Sequence, residues 1–371
     1  MRVLLLADIN SIHTQKWAIS LKIKGIDIAV FSLNKLTTSN QELQNIEIFH
    51  PGNFDQDLSS VGLKYKIKYL KAFPSLRKCI SKFAPDIVHA HYASSYGFLG
   101  SLTGFHPYIL SVWGSDIYDF PGSSLFSRML IRYNLKKADR ILSTSHVMAA
   151  ETQKYTDKKI YITPFGVDLN RFKRYPVKSL FPPNSIIIGT IKALEKKYGI
   201  DYLIAVFQKL HLKYPELPLK LLIVGSGTLE TSLKEQTHSL GLENEVIFTG
   251  KIQHEEVPDF LNMLDIYTAL SISDSESFGV AVIEASACEL PVVVTDIGGL
   301  KEVVDNQVTG LLVPPKNIEK SVESFEKLLF DVQLRKQMGK NGRERVKRYY
   351  DWNNNVDEMI NIYLHFYSSN R

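Results

Sequence analysis

Two glutamates, Glu276 and Glu284, stand eight residues apart in the stretch SESFGVAVIEASACELPVV, residues 275–293. Paired carboxylates on one bond are the equipment of glycoside hydrolysis, where they lie roughly 5–10 Å apart. Here an apolar run of helical character separates them, and eight helical residues rise about 12 Å. That length suits two grips on an elongated ligand better than an acid and a base on one scissile bond. The turn Ser275-Glu276-Ser277-Phe278-Gly279 precedes the helix. A helix start offers free backbone N–H groups and about half a positive charge. Gly279 allows a ligand to approach that backbone, which makes a ready site for an anion or a sugar hydroxyl. The competing reading is a plain helix cap from Ser275 or Glu276.

Other candidate groups also follow apolar runs. GTIKALEKKYG (189–199) brings Lys192, Lys196 and Lys197 after a strand, where cations suit a diphosphate. A solvated charged loop is the alternative. Val224-Gly225-Ser226-Gly227 lacks the third glycine of a dinucleotide fingerprint and reads as a tight strand-to-helix turn. In the first half, Asn10-Ser11-Ile12-His13 and Trp113-Gly114-Ser115-Asp116 follow strands. His13 alone reads more readily as a surface histidine at a helix start than as a ligand. His89 and His91 share one face of a strand, but a metal would need further ligands and none is near, so they read as packed histidines. Cys79 and Cys288, the only cysteines, sit in apolar helical contexts and read as core. No metal site and no cofactor are expected.

The elements that must position these residues alternate between strand and helix. Apolar runs at 3–7, 26–33, 85–92, 108–116, 139–145 and 159–168 form one series. Runs at 185–191, 219–227, 245–250, 265–271, 291–296 and 310–315 form a second. Such alternation predicts parallel sheets with crossover helices. The stretch between the series holds Pro176, Pro182 and Pro183 and shows little periodicity. The expected organisation is therefore two doubly wound, Rossmann-like αβα domains facing across a cleft. They are a first domain over 1–170, a linker over 171–185 and a second domain over 186–348. A C-terminal helix over 349–371 would pack back on the first. In such sheets ligands bind beyond the carboxyl ends of the strands, where every motif above lies.

Composition narrows the classes. With 44% apolar and 22% charged residues among 371, a large core is available and no disulfide or metal is needed to hold it. MRVLLL is followed at once by Asp8 and is too short for a signal peptide, and no run reaches a membrane span. A cytoplasmic protein is expected, peripheral on the membrane face at most. Residues 1–175 carry 23 Lys and Arg against 13 Asp and Glu, while the remainder carries 21 against 26. A basic first half facing an anionic partner fits that split. Residues 62–83, GLKYKIKYLKAFPSLRKCISKF, interleave lysines with aromatic residues and suit an anionic membrane surface. The alternative is an ordinary solvated helix face. No nucleic-acid motif is present.

Taken together, IGTIKALEKKYGIDYLI, LLIVGSGTLETSL, VIFTGKI, SISDSESFGVAVIEASACELPVVVTDIGG and TGLLVPP, with PDIVHAHY, SVWGSD, ADRILSTS and PFGVD, carry a resemblance over nearly the whole chain. The chain resembles the retaining nucleotide-sugar glycosyltransferases of glycosyltransferase family 4, which have the GT-B fold. The resemblance implies that the second domain binds a nucleotide sugar and the first a glycan or lipid-linked acceptor. A hexosyl or N-acetylhexosaminyl group would be transferred with retention and without a metal, in polysaccharide or glycolipid synthesis. It assigns Glu284 to the ribose hydroxyls, Glu276 to the transferred sugar, and Lys192 with Lys197 to the diphosphate. The backbone around Ser277, Phe278, Gly279 and Val280 would meet sugar and phosphate, with Gly225 nearby, and that around Ile252 the base. His13, Trp113 and Asp116 fall on the acceptor side.

Three departures stand out from the family pattern. Tyr198 rather than a cation precedes Gly199, so Lys197 stands in from one place earlier. The loop DINSIHTQKW lacks the usual glycines. Trp113 stands where many members have a histidine, leaving His13 or Asp116 as the polar group. Two other readings share these features: a non-hydrolysing nucleotide-sugar epimerase of the same fold, and a non-catalytic nucleotide-sugar-binding protein.

Overall fold

The computed structural model describes residues 1–37, 41–52 and 69–369. The chain divides into two compact units, one of Met1–Pro164 with Asn354–Arg371 and one of Phe165–Asn353. Each is a parallel sheet covered by helices, so the α/β fold class is as the strand–helix alternation implied.

Among the described residues of the first unit seven strands form the sheet: β1 (Arg2–Leu6), β2 (Asp27–Phe31), β3 (Glu47–Phe49), β4 (Ile87–His91), β5 (Tyr108–Val112), β6 (Arg140–Ser143) and β7 (Ile160–Ile162). Their order is β3-β2-β1-β4-β5-β6-β7. In the second unit six strands do so: β8 (Ile186–Ile191), β9 (Leu219–Val224), β10 (Val246–Gly250), β11 (Ile266–Ala269), β12 (Val292–Thr295) and β13 (Gly310–Val313). Their order is β10-β9-β8-β11-β12-β13. Strands such as β1 and β12 are mostly Val and Leu on both faces, because helices bury both sides of a parallel sheet. Val3, Leu4, Leu5 and Leu6 are fully buried, as are Val292, Val293 and Val294.

Strand order decides where side chains can converge. In each sheet the winding direction reverses once, between β1 and β4 and between β8 and β11, and such a switch point opens a crevice at the strand ends. Residues following β1 and β4 must meet in the first unit. Those following β8 and β11, among them Lys192 and Glu276, must meet in the second.

Two expectations differ from the structure. The segment 171–185 lies inside the second unit rather than between domains. Arg174 Nη1 donates to the Leu264 carbonyl at 3.2 Å and the Tyr175 amide to Asn262 Oδ1 at 3.0 Å. An irregular, proline-containing segment is thus pinned by side-chain bonds that periodicity does not register. The second difference is β3, three residues on the sheet edge, which pairs with β2 through Ile48 and Val30.

The chain returns to the first unit in the helix Trp352–Ser369. There Tyr363 is fully buried and shares a 2.7 Å hydrogen bond with His89 Nδ1. Asn355 Nδ2 also donates to the Pro164 carbonyl at 3.1 Å.

Candidate functional site

In the second unit, the loop after β8 carries Lys192 and the loop after β11 carries Glu276. Lys192 Nζ and Glu276 Oε2 form an ion pair at 2.7 Å, with 11% and 12% of the side chains exposed. Ser271 Oγ adds a 3.3 Å bond to the same oxygen. The Tyr198 ring lies 4.7 Å from Lys192 Nζ and 5.0 Å from Lys197 Nζ, so both ammonium groups are within cation–π range of one ring. Lys197 is exposed, and its carbonyl accepts from the Ile272 amide at 2.8 Å, which ties it to the loop that carries Glu276.

Two close approaches hold these loops. Gly225 has φ +137°, and a Cβ there would collide with the Lys192 carbonyl. It is the tight turn expected at 224–227, and it seats the Lys192 loop. Opposite, Gly298 has φ +44° and a Cβ on it would strike the Glu276 carbonyl, while the Gly299 amide donates to that carbonyl at 2.7 Å. The diglycine Gly298-Gly299 therefore supports the Glu276 turn from behind.

The helix Val280–Ala287 begins at Gly279, and no side chain caps it. The simple-cap reading is corrected: Glu276 turns away to Lys192, and Ser275 Oγ pairs with Ser273 Oγ at 3.0 Å. Phe278 is buried and packs edge-on against Phe165 and Tyr350, at 5.7 and 5.5 Å, which anchors the turn. Ser277 and Val280 flank it, half-buried. The first turn thus has no side-chain cap, and the Val282 amide donates to the Gly279 carbonyl at 3.0 Å.

Glu284 lies further along that helix, 8% exposed, and its Oε1 is 3.1 Å from His254 Nε2. His254 is itself placed by Arg171 Nη2, which donates to the His254 carbonyl, and by the Phe172 ring 5.9 Å away. Half-buried Ile252 stands two residues earlier on the same connection after β10. Tyr267 on β11 is fully buried, and its phenol is pushed well up by burial and then by the charges of Glu276 and Glu284. His254, Tyr267 and Gly298-Gly299 were not singled out as site residues. Only the diglycine had a local sequence signal, in VVVTDIGG.

In the first unit a cavity of about 330 Å³ opens at the switch point, lined in part by Asp8, Ser11, Asn34, His91, Tyr92 and Trp113. Trp113 packs against His91 at 4.3 Å and against Tyr92 at 6.2 Å, and His13 stands edge-on to it at 6.1 Å. Tyr92 has φ +73°, a strained backbone for a bulky residue and one that concentrates at functional sites. His91 Nδ1 and Thr14 Oγ1, both on this cavity, are buried without a hydrogen-bond partner among the described residues. Among the described residues no lysine or arginine lines it.

Asp116, expected on the acceptor side, is not an open carboxylate there. It is 1% exposed, and its oxygens accept from the amides of Ala93, Gly114 and Trp113 at 2.7, 2.8 and 3.2 Å. Burial raises its pKa and these amides oppose that rise. His89 is fully buried between Tyr363 and Ser111 Oγ, and burial pushes its pKa down to about 3. His91 is likewise pushed down by burial, then by His89 and His13. Both are neutral packed histidines, though His91 also reaches the cavity.

Of the basic segment 62–83, residues 62–68 lie outside the described residues. Over 69–83 the apolar side chains Tyr69, Leu76, Cys79 and Phe83 are buried, leaving Lys71, Arg77, Lys78 and Lys82 outward. This described part is an ordinary solvated helix face with no apolar stripe to offer a bilayer. Among the described residues no helix is long and apolar enough to cross a membrane.

Comparison with known proteins adds to this geometry. The family described as "Glycosyl transferases group 1" matches residues 172–345, and "Glycosyl transferase 4-like" matches residues 2–145. The chain belongs to the family-4 type of glycosyltransferase, and its fold is GT-B. It is 31% identical over 165 residues to an uncharacterized glycosyltransferase of Methanocaldococcus jannaschii, covering 44% of this chain and 41% of that one. It is 27% identical over 297 residues to N-acetyl-alpha-D-glucosaminyl L-malate synthase of Bacillus anthracis, covering 75% and 74%. The crystal structure of Anabaena Alr3699/HepE in complex with UDP superimposes with a TM-score of 0.79 at 18% identity, over 98% of this chain and 100% of that one, which shows the shared fold.

Proposed function

We propose that this glycosyltransferase takes a hexosyl or N-acetylhexosaminyl group from a nucleoside-diphosphate sugar held by the second unit. The recipient is a hydroxyl of a glycan or lipid-linked acceptor seated in the first unit's cavity. The reaction retains the anomeric configuration, needs no divalent metal, and serves cytoplasmic assembly of a cell-surface polysaccharide or glycolipid. The observation that carries this reading is the Lys192–Glu276 pair beside the uncapped start of helix Val280–Ala287.

The chemistry follows from the leaving group. As the bond from the anomeric carbon to the phosphate oxygen breaks, negative charge grows on the diphosphate. Lys192, Lys197 and the helix amides are preorganised to stabilise it. The acceptor oxygen attacks from the same face, and its proton passes to the departing phosphate oxygen. Glu276 holds the sugar end and Glu284 the ribose hydroxyls. The B. anthracis relative's name supports an N-acetylhexosaminyl donor, and the UDP complex of HepE supports a uridine nucleotide.

The test begins with thermal shifts against UDP-, GDP- and ADP-sugars, since a ligand at 100 times its Kd stabilises by about 2.7 kcal/mol. With the best donor and an acceptor mixture, free nucleoside diphosphate should accumulate, and EDTA should leave the rate unchanged. An isomeric nucleotide sugar as product would replace this reading with epimerisation. Tight donor binding with no turnover on any acceptor would replace it with a binding protein.

A further inference from the structure

Among the described residues, Asp8 is the one acidic side chain that lines the first unit's cavity. It follows β1 and is half-buried. Its Oδ1 accepts from the Asn10 amide at 3.0 Å, and its Oδ2 accepts from Asn34 Nδ2 at 3.0 Å. A carboxylate offers about four lone pairs, so two bonds fix its plane and leave capacity for a ligand. Asn34 also lines the cavity and is seated in turn. Its amide donates to Ser32 Oγ at 3.2 Å, and its carbonyl accepts from that hydroxyl at 2.8 Å.

The rest of the wall is largely aromatic, with Trp113, Tyr92 and Tyr96 beside His91. Burial holds His91 well below its ordinary pKa, so its imidazole is neutral and does not offset Asp8. The helix Ile12–Ile23 starts at Ser11 on the same cavity, and no side chain caps it. Its start carries about half a positive charge, which the full charge of Asp8 outweighs. His91 Nδ1 and Thr14 Oγ1 are buried on this wall without a hydrogen-bond partner among the described residues. A carboxylate beside an amide, with rings and unmet polar groups around it, is satisfied by hydroxyls and not by a second anion.

We propose that this cavity takes an uncharged, hydroxyl-rich sugar ring and that Asp8 excludes rings bearing a phosphate or a carboxylate there. One ring hydroxyl donates to a remaining lone pair of Asp8, and its neighbour accepts from the second Nδ2 proton of Asn34. The C–H face of the ring lies against the aromatic wall. A second negative charge a few ångströms from Asp8 is repelled, and sites for phosphate or carboxylate are built from arginine and lysine instead. Asp8 and Asn34 are thus the residues that set acceptor selectivity. That the ring is an acceptor rests on the transferase reading. Its binding does not, because binding is measured without a donor.

The full chain is titrated by saturation-transfer NMR with methyl glucoside, methyl mannoside, methyl galactoside and methyl N-acetylglucosaminide. The charged counterparts are methyl glucuronide and glucose 6-phosphate as anions and methyl glucosaminide as a cation. The best neutral ring should bind at least about tenfold more tightly than either anion, and the gap should narrow as salt is raised. Trp113→Ala should weaken the neutral rings about tenfold, which places them in this cavity and not in the second unit. Asp8→Asn keeps the size and removes the charge, so it should bring the anions within about twofold of the neutral rings. A purely structural aspartate would lower all the affinities together. If Asp8→Asn fails to fold, the preference and salt response of the parent chain still decide. The proposal is overturned if the anions bind the parent chain as tightly as the neutral rings, or if no neutral ring binds. It is also overturned if methyl glucosaminide binds tightest, if Trp113→Ala changes nothing, or if folded Asp8→Asn keeps the preference. Release of nucleoside diphosphate in the presence of the best ring is scored separately, and its absence would remove the transferase reading while leaving this site.

Discussion

The two units share one architecture and fill its switch point with opposite chemistry. In the second, a mostly buried ion pair joins loops 84 residues apart. In the first, the corresponding crevice holds rings: Trp113, His91 and Tyr92, with both buried histidines neutral. A charged pair suits a ligand that gains charge during reaction, and a mainly aromatic crevice suits a hydroxyl-rich ring held by stacking and directional bonds. The same fold can host either because the loops, not the strands, carry the chemistry.

The largest test of this contrast is to take the charge out of the second unit. Lys192→Ala and Glu276→Ala should each lower kcat by about 100- to 1,000-fold. Each also strands a buried charge, which should cost about 2–4 kcal/mol in urea unfolding. The double change Lys192→Met with Glu276→Gln separates the two effects. It should recover most of the stability and none of the activity. Full activity in either single variant would remove the pair from the site.

Acid should act on the first unit instead. His89 has a folded pKa of about 3 against 6.5 in the unfolded chain, so below pH 6.5 the unfolded state binds the extra proton. Its stabilising contribution is complete above pH 6.5 and is lost as the pH falls from there towards 3. Between pH 7 and pH 5 His89 alone should remove about 2 kcal/mol. Trp17 and Trp113 report the first unit's unfolding by fluorescence. His89→Gln should flatten the pH dependence measured that way, and an unchanged slope would mean that His89 is not buried neutral.

Much of this contrast was legible in the sequence as motifs and little of it as pairings. Val, Ile and Leu runs marked the central strands because a parallel sheet buries both faces. The edge strand Glu47–Phe49 was missed, since three residues carry no period. Glu276 and Lys192 stood out one by one, but their contact depends on which strands are neighbours, a property of the whole sheet. The same holds for His254 and Glu284, on different connections of the second unit. Asp116 looked like a polar group for a ligand because amides that claim a carboxylate leave no trace in residue types. The basic segment at 62–83 and the helix at 125–137 both mix cations with apolar residues. Composition could not say which apolar side chains point inward. Over 69–83 most do, Leu70 excepted, while Leu125, Phe126, Met129 and Tyr133 do not.

The smallest test crosses the two units. Trp113→Ala removes the ring that His13, His91 and Tyr92 surround, and should raise the acceptor KM about tenfold while leaving the donor Kd alone. His254→Ala should do the reverse, and more gently. His254 is 28% exposed and makes one 3.1 Å bond to Glu284, so its loss frees that carboxylate to rotate without leaving it wholly buried. A bond of about 1 kcal/mol predicts a donor Kd weakened about fivefold, with kcat nearly unchanged because His254 does not approach the Lys192–Glu276 pair. His254→Asn, which keeps a side-chain donor, should recover part of the affinity if orientation of Glu284 is its task. A fall in kcat with the donor Kd intact would place His254 at the reacting bond, and the division between a donor grip and a reacting end would fail with it.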